Sequence, residues 1–167
     1  MNDVKRTLFE KRQQNQMLKS LYYNRYLLVR YVTAIFFFTN VYWLISLALS
    51  HSALFAIPLA LIIVIILSVA EQVKIYSSPT NHAKYTKFCF MTLFFANAML
   101  LLPSCFSSSF VQLYPFLVNQ NKSKALILAV LIAGLLLSAF ILRRLYQIKH
   151  DEDKHFQRIK EYEKAIR

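Results

Sequence analysis

What constrains this chain most is where its charges are missing. No Asp, Glu, Lys or Arg stands between Arg30 and Glu71, between Lys87 and Lys122, or between Lys124 and Arg143, gaps of 40, 34 and 18 residues. An ionised side chain is costly in hydrocarbon, so apolar runs of roughly 18 or more residues without charge are candidates to cross a bilayer. The longest gap is too long for one crossing and fits two, separated by a tight turn at His51 and Ser52. Four spans are predicted, at 31–50, 53–70, 87–105 and 125–142. At about 1.5 Å of rise per residue, each reaches across a core of about 30 Å. A membrane β-barrel needs alternating apolar and polar residues, whereas these runs are continuous. The expected fold is therefore all-α, a polytopic membrane protein with four transmembrane helices.

Charge elsewhere sets the expected orientation. Lys and Arg number 20 against 8 Asp and Glu, a net charge of +12. Such a balance raises nucleic acid as a partner in a soluble domain; here its blockwise placement argues for a lipid surface instead. Seven of the cations lie in residues 1–30, three in the 71–87 loop and eight from Arg143 onward, against two, Lys122 and Lys124, in the 106–124 segment. Cytoplasmic loops carry the excess of Lys and Arg. Both termini are expected in the cytoplasm of a plasma membrane, with segment 106–120 outside.

The flanks carry patterns of their own. Residues 1–30 read as a basic cytoplasmic or interfacial helix, capped at Asn2 or Asp3, with Val4, Leu8, Leu18, Leu21 and Leu28 near helical spacing. Its end combines Tyr22, Tyr23 and Tyr26 with Arg25 and Arg30, the residue types that anchor at headgroup level and snorkel to phosphate. These are candidate contacts to anionic lipid headgroups. The first span is not expected to be a cleaved signal, because its apolar run exceeds the roughly 7–15 residues of a signal core. SSPTN at 77–81 signals a turn and a cap at Thr80 or Asn81. Outside, Phe106, Phe110, Leu113 and Leu117 make a helical stripe, with Ser107, Ser108 and Ser109 available as caps and Pro115 limiting its length. A short interfacial or re-entrant helix is expected there, with a kinked extension of the third span as the alternative. In the tail 143–167, Leu145, Ile148, Glu152, His155, Ile159, Tyr162 and Ile166 follow a heptad frame. The fourth helix is expected to continue into the cytoplasm and pack on the N-terminal helix, on a second copy or on a partner through residues 145–166.

Chemistry is mostly excluded. Gly134 is the single glycine, and a P-loop or dinucleotide fingerprint needs two or three where backbone approaches phosphate. Cys89 and Cys105 fall on one proposed helix, roughly 24 Å apart along its axis and too far for a disulfide. His51, His82, His150 and His155 form no Ser-His-Asp or Cys-His grouping and no metal-ligand spacing. No carboxylate lies within a span, where a proton relay would need one. No catalytic residue, cofactor or metal is expected, and the chain reads as non-enzymatic.

Two asparagines and a small-residue stripe remain. Asn40 and Asn97 lie near mid-bilayer, where an amide must find hydrogen-bond partners. They bond each other or a backbone carbonyl, or else line a mid-membrane polar site; Thr33, Thr39, Ser46 and Thr92 can join such a network or bond their own helices. Ala125, Ala129 and Ala133, with Gly134 and Ser138, have the small-residue spacing that lets helix backbones approach closely. Phe37-Phe38-Thr39-Asn40 matches Phe94-Phe95-Ala96-Asn97 at an offset of 57, which also pairs Arg30 with Lys87. That offset is compatible with a duplicated hairpin whose second half carries an insertion.

The stretch KRQQNQMLKSLYYNRYLLVRYVTAIFFFTNVYW (11–43) resembles small uncharacterised multi-pass membrane proteins of Gram-positive cocci such as streptococci, some labelled as phosphotransferase-system (cellobiose) components. The resemblance implies a bacterial cell membrane. It implies phosphoryl transfer less well, since the phosphoryl-carrying components of such systems are soluble and the sugar-translocating one is much larger. The sequence thus points to an accessory or scaffold subunit acting by helix packing, with a small oligomeric transporter lined by Asn40 and Asn97 as the alternative.

Overall fold

The computed structural model describes residues 2–77, 82–152, 156–157 and 159–160. Among them there is no strand, and four helices are long and apolar enough to cross a membrane. The order is α1 (Asn2–Asn24), α2 (Leu27–Leu49), α3 (Ala56–Ser77, preceded by a 3₁₀ turn at Ala53–Phe55), α4 (Lys84–Cys105), α5 (Ser107–Leu113) and α6 (Asn121–Lys149). The four spans stand as α2, α3, α4 and α6, a four-helix bundle with the character of a multi-pass membrane protein. They outrun their predicted bounds except where α4 ends, at Cys105, and at the turn, where α2 stops at Leu49 and α3 starts at Ala56 after the 3₁₀ turn. A charge-free gap marks where hydrocarbon begins and ends, whereas basic and polar residues at headgroup depth keep the helical conformation.

Round the bundle, α2 packs on α3, α3 on α4, α4 on α6, and α6 closes the ring on α2. The core runs along a seam of large side chains that includes Val29, Val32, Phe36, Ile65, Phe90, Leu93, Ile141 and Leu145. Phe36 and Phe90 meet edge-to-face across the middle, ring centroids 6.1 Å apart. On α6 the buried positions are Ile127, Leu131, Gly134, Ser138, Ile141, Leu145 and Ile148, spaced alternately four and three. This is the heptad frame expected for the tail, but it runs backward through the span. The outer faces are apolar instead of polar: Ile35, Phe38 and Ile45 on α2, and Val130, Leu136 and Phe140 on α6, are all exposed. Lipid solvates such a surface, whereas water does not tolerate one of this extent.

Two helix ends solve the shortage of glycine in the same way. After α2, Ser52 N–H donates to the Leu47 carbonyl at 3.1 Å and His51 N–H to Ala48 at 3.1 Å. After α6, Glu152 N–H donates to Gln147 at 3.1 Å and Asp151 N–H to Ile148 at 3.3 Å. These are Schellman closures, which need a left-handed residue. His51 (φ 52°) and Asp151 (φ 56°) supply it; both types tolerate that region better than most. The second closure corrects the expected continuous tail. α6 stops at Lys149, Glu152 is exposed beyond its end, and Ile159 farther along is buried. Caps at Asn2 or Asp3 and at Thr80 or Asn81, Val4 of the N-terminal helix, and the tail positions His155, Tyr162 and Ile166 lie outside the described residues or side chains.

α4 starts without a cap of its own at Ala83. Glu71 of α3 does the work across the gap. Its carboxylate accepts from Tyr85 N–H (3.1 Å), Thr86 N–H (2.7 Å) and the Thr86 hydroxyl (2.8 Å). An anion here meets both unpaired N–H groups and the positive end of the helix dipole. Replacing Glu71→Gln should lower the unfolding free energy by about 1–2 kcal/mol, read by thermal unfolding in detergent, with Glu71→Asp intermediate. An unchanged midpoint would show that α4 needs no cap from α3.

Candidate functional site

The polar side chains inside the bundle are the place to look for a site. Asn40 donates through Nδ2 to the Phe36 carbonyl at 2.8 Å, and Asn97 to the Leu93 carbonyl at 2.7 Å. Each amide satisfies itself on its own helix, four residues back, and the two do not bond one another. Thr39, Ser46 and Thr92 likewise donate to carbonyls of Ile35, Tyr42 and Phe88 on their own helices. The 57-residue match has a structural counterpart: Phe37 and Phe38 meet edge-on at 5.5 Å, and Phe94 and Phe95 at 5.8 Å.

Asn97 carries a further role in packing. A Cβ built on Gly134 would lie 2.8 Å from Asn97 Oδ1, so the single glycine makes room for this amide between α4 and α6. Gly134 and Ser138 are buried there, and the Ser138 hydroxyl has no partner among the described residues. The rest of the small-residue stripe does not share this contact: Ala125, Ala129 and Ala133 are exposed on the outer face of α6. Ala133 and Gly134 are consecutive, about 100° apart round a helix of 3.6 residues per turn, so the alanines lie on a different face from Gly134 and Ser138. Gly134→Ala should destabilise by about 1–3 kcal/mol, because the amide must move off the Leu93 carbonyl. Asn97→Ser should recover most of that loss in a double-mutant cycle read by thermal unfolding; additive effects would refute the contact.

One polar network does join helices, and the sequence reading missed most of it. Gln72 Nε2 lies 3.1 Å from Thr33 Oγ1 and 3.1 Å from Ser68 Oγ, and Thr33 donates to the Val29 carbonyl at 2.7 Å. Two helices, α2 and α3, thus share three buried polar side chains. Ser68 and Gln72 stand at i and i+4, a spacing visible in the sequence once α3 is carried past Glu71. Cys89 is buried and Cys105 exposed, both free thiols on α4.

The candidate headgroup contacts divide. Arg25 is 1% exposed and Tyr26 3%, so neither faces lipid. Arg25 donates through Nη2 to the Ile148 carbonyl at 3.2 Å and pairs with Asp151 Oδ1 at 2.9 Å, while its guanidinium lies 5.0 Å from the Phe156 ring centre. A cation at the C-terminal end of α6 complements that helix's dipole. Among the described residues, the tail meets the N-terminal part of the chain through Arg25, which stands just past the end of α1 and touches Asp151 and Phe156. Arg30 donates to the carbonyls of Tyr23 and Tyr26 and lies over the Tyr23 ring, closing the end of α1. Tyr22 and Tyr23 are half-buried. In α1 itself Leu8, Phe9 and Met17 are exposed.

At the opposite end, α5 is a separate helix. Phe106 is extended (φ −89°, ψ 130°), so the third span does not continue through it. Phe106 is exposed rather than part of the buried stripe, while Phe110 and Leu113 are buried. The serines do not cap α5, whose N-cap is Phe106 without a side-chain bond; Ser107 accepts from Lys124 at 2.7 Å instead. Trp43 of α2 donates to the Leu113 carbonyl at 3.1 Å and stacks on Tyr114, centroids 5.8 Å apart. Burial raises the Tyr114 pKa above its ordinary value near 10, offset in part by a hydrogen bond with Ser104. The folded state therefore holds this proton more tightly than the unfolded chain, and stability falls as pH rises from about 10 toward the raised value. Spectrophotometric titration should show one late-ionising tyrosine that Tyr114→Phe removes.

Among the described residues no three of His, Cys, Asp and Glu gather as a metal site would require. Compared with protein families, with curated proteins and with solved structures, the chain matches none of them.

Proposed function

We propose that this chain is a non-enzymatic accessory or scaffold subunit of a larger membrane assembly, acting by helix packing in a bacterial plasma membrane with both termini cytoplasmic. What carries the reading is the use made of its polar side chains. Asn40, Thr39, Ser46 and Thr92 bond only their own helices; Gln72, Thr33, Arg25 and Glu71 bond between elements. A transport path through Asn40 and Asn97 would need those amides presented to a shared polar space, and each is turned back on its own backbone. General acid–base catalysis needs titratable groups around a substrate, and the central seam is built of aliphatic and aromatic side chains. The exposed apolar faces leave ample surface for other transmembrane helices. The orientation rests on the lysine and arginine excess at the end where α1, the α3–α4 loop and the α6 terminus meet. The bacterial setting rests on the resemblance of residues 11–43.

Mild detergent extraction followed by mass spectrometry tests this reading. A stoichiometric foreign membrane protein is expected, retained by the Asn40→Leu and Asn97→Leu variants. A homo-oligomer that moves solute across liposomes, with flux lost in those variants while assembly persists, would overturn it.

A further inference from the structure

At the lysine-rich end, a groove of about 500 Å³ opens between α4 and α6 toward the outside of the bundle. Its α4 wall is Lys84, Lys87, Phe88 and Met91, and its α6 wall is Leu142, Leu145, Tyr146 and Lys149. Each set follows i, i+3, i+4, i+7, so each is one face of its helix. The helices run antiparallel, so the three lysines gather at the mouth and the apolar residues lie below them. No carboxylate lines the groove. The acids beside it are occupied, Glu71 by Thr86 and Asp151 by Arg25. Phe88, Met91 and Tyr146 are all substantially exposed along the trough.

The groove between α2 and α3 makes a useful contrast. It is of similar size, about 520 Å³, and holds Arg30 at the position paired with Lys87 by the 57-residue offset. There the guanidinium is spent on the Tyr23 and Tyr26 carbonyls. At the α4–α6 groove, no ion pair among the described residues takes Lys84, Lys87 or Lys149.

We propose that the α4–α6 groove binds one anionic phospholipid, its phosphate held by Lys84, Lys87 and Lys149 and one acyl chain lying along Phe88, Met91 and Leu142. Charge complementarity selects the headgroup, and the apolar trough selects a lipid over free phosphate. The walls extend about 10 Å along the helices from Lys84 to Met91, enough to pass from headgroup depth, roughly 5–7 Å thick on each side, into hydrocarbon. Basic pockets between transmembrane helices recognise phosphorylated headgroups in this way. The site stands whether or not the chain is an accessory subunit.

Native mass spectrometry of the purified full chain tests it, with phosphatidylglycerol or phosphatidylcholine added back. Phosphatidylglycerol should be retained preferentially and not displaced by excess inorganic phosphate. Each lysine near an anionic headgroup contributes about a fivefold factor, so Lys84→Gln, Lys87→Gln and Lys149→Gln together should weaken binding roughly a hundredfold. The opposite-end pair Lys122→Gln and Lys124→Gln should leave it unchanged. Met91→Trp, which fills the trough and keeps every charge, should weaken binding at least about tenfold. Equal binding of the two lipids, wild-type affinity in the triple variant, equal loss in the opposite-end pair, or no effect of Met91→Trp would each overturn the proposal.

Discussion

In hydrocarbon no water completes an unmet hydrogen bond, and this constraint organises the whole molecule. Backbone groups are satisfied by the helices themselves, so what remains are the side-chain amides and hydroxyls. Most reach back to the carbonyl four residues earlier, as Asn40 does to Phe36 and Thr92 to Phe88. This solution is purely local and leaves the side chain almost inert toward its neighbours. Midway along the bundle, Gln72 bridges Ser68 and Thr33 and so ties α3 to α2, while Glu71, Arg25 and Trp43 make the polar links between elements nearer the two ends. The remaining cohesion comes from close packing, and the interlock of Asn97 with Gly134 shows how tightly α4 and α6 approach.

Much of this was legible in the sequence. Charge-free gaps located α2, α3, α4 and α6, because desolvation of an ion is a large and unambiguous cost. The same signal was blind to helix ends, since basic residues snorkel while the backbone remains helical, which is why Lys84, Glu71 and Arg143 proved to lie inside helices. Residue type alone also failed to separate a headgroup contact from a buried clamp. Arg25 sits among tyrosines in a basic stretch, just as an interfacial anchor does, yet it is buried against the end of α6. Its partners are more than a hundred residues away in the chain, beyond the reach of any local pattern. Of the tail's heptad positions, Leu145 and Ile148 continue the buried seam of α6, which a left-handed Asp151 then terminates, leaving Glu152 exposed.

The two ends of the bundle are built from different chemistry. One gathers the basic residues, with Arg25 and Arg30 closing the C-terminal ends of α6 and α1 and Glu71 closing the N-terminal end of α4. The other is aromatic, with Trp43, Phe110, Tyr114 and Phe116 around the short α5. Ionic and hydrogen-bonded closures serve where headgroups and water are near, and ring packing serves where the connecting chain must cover the bundle.

The indole of Trp43 joins the first helical hairpin to α5, which lies between the two helices of the second. At the far side of the molecule, Arg25 joins the start of that first hairpin to the last turn of the second. A tilt of one hairpin against the other that opens a gap at one pole lengthens the bond held at the opposite pole, so each fastening limits a motion that the other alone would permit.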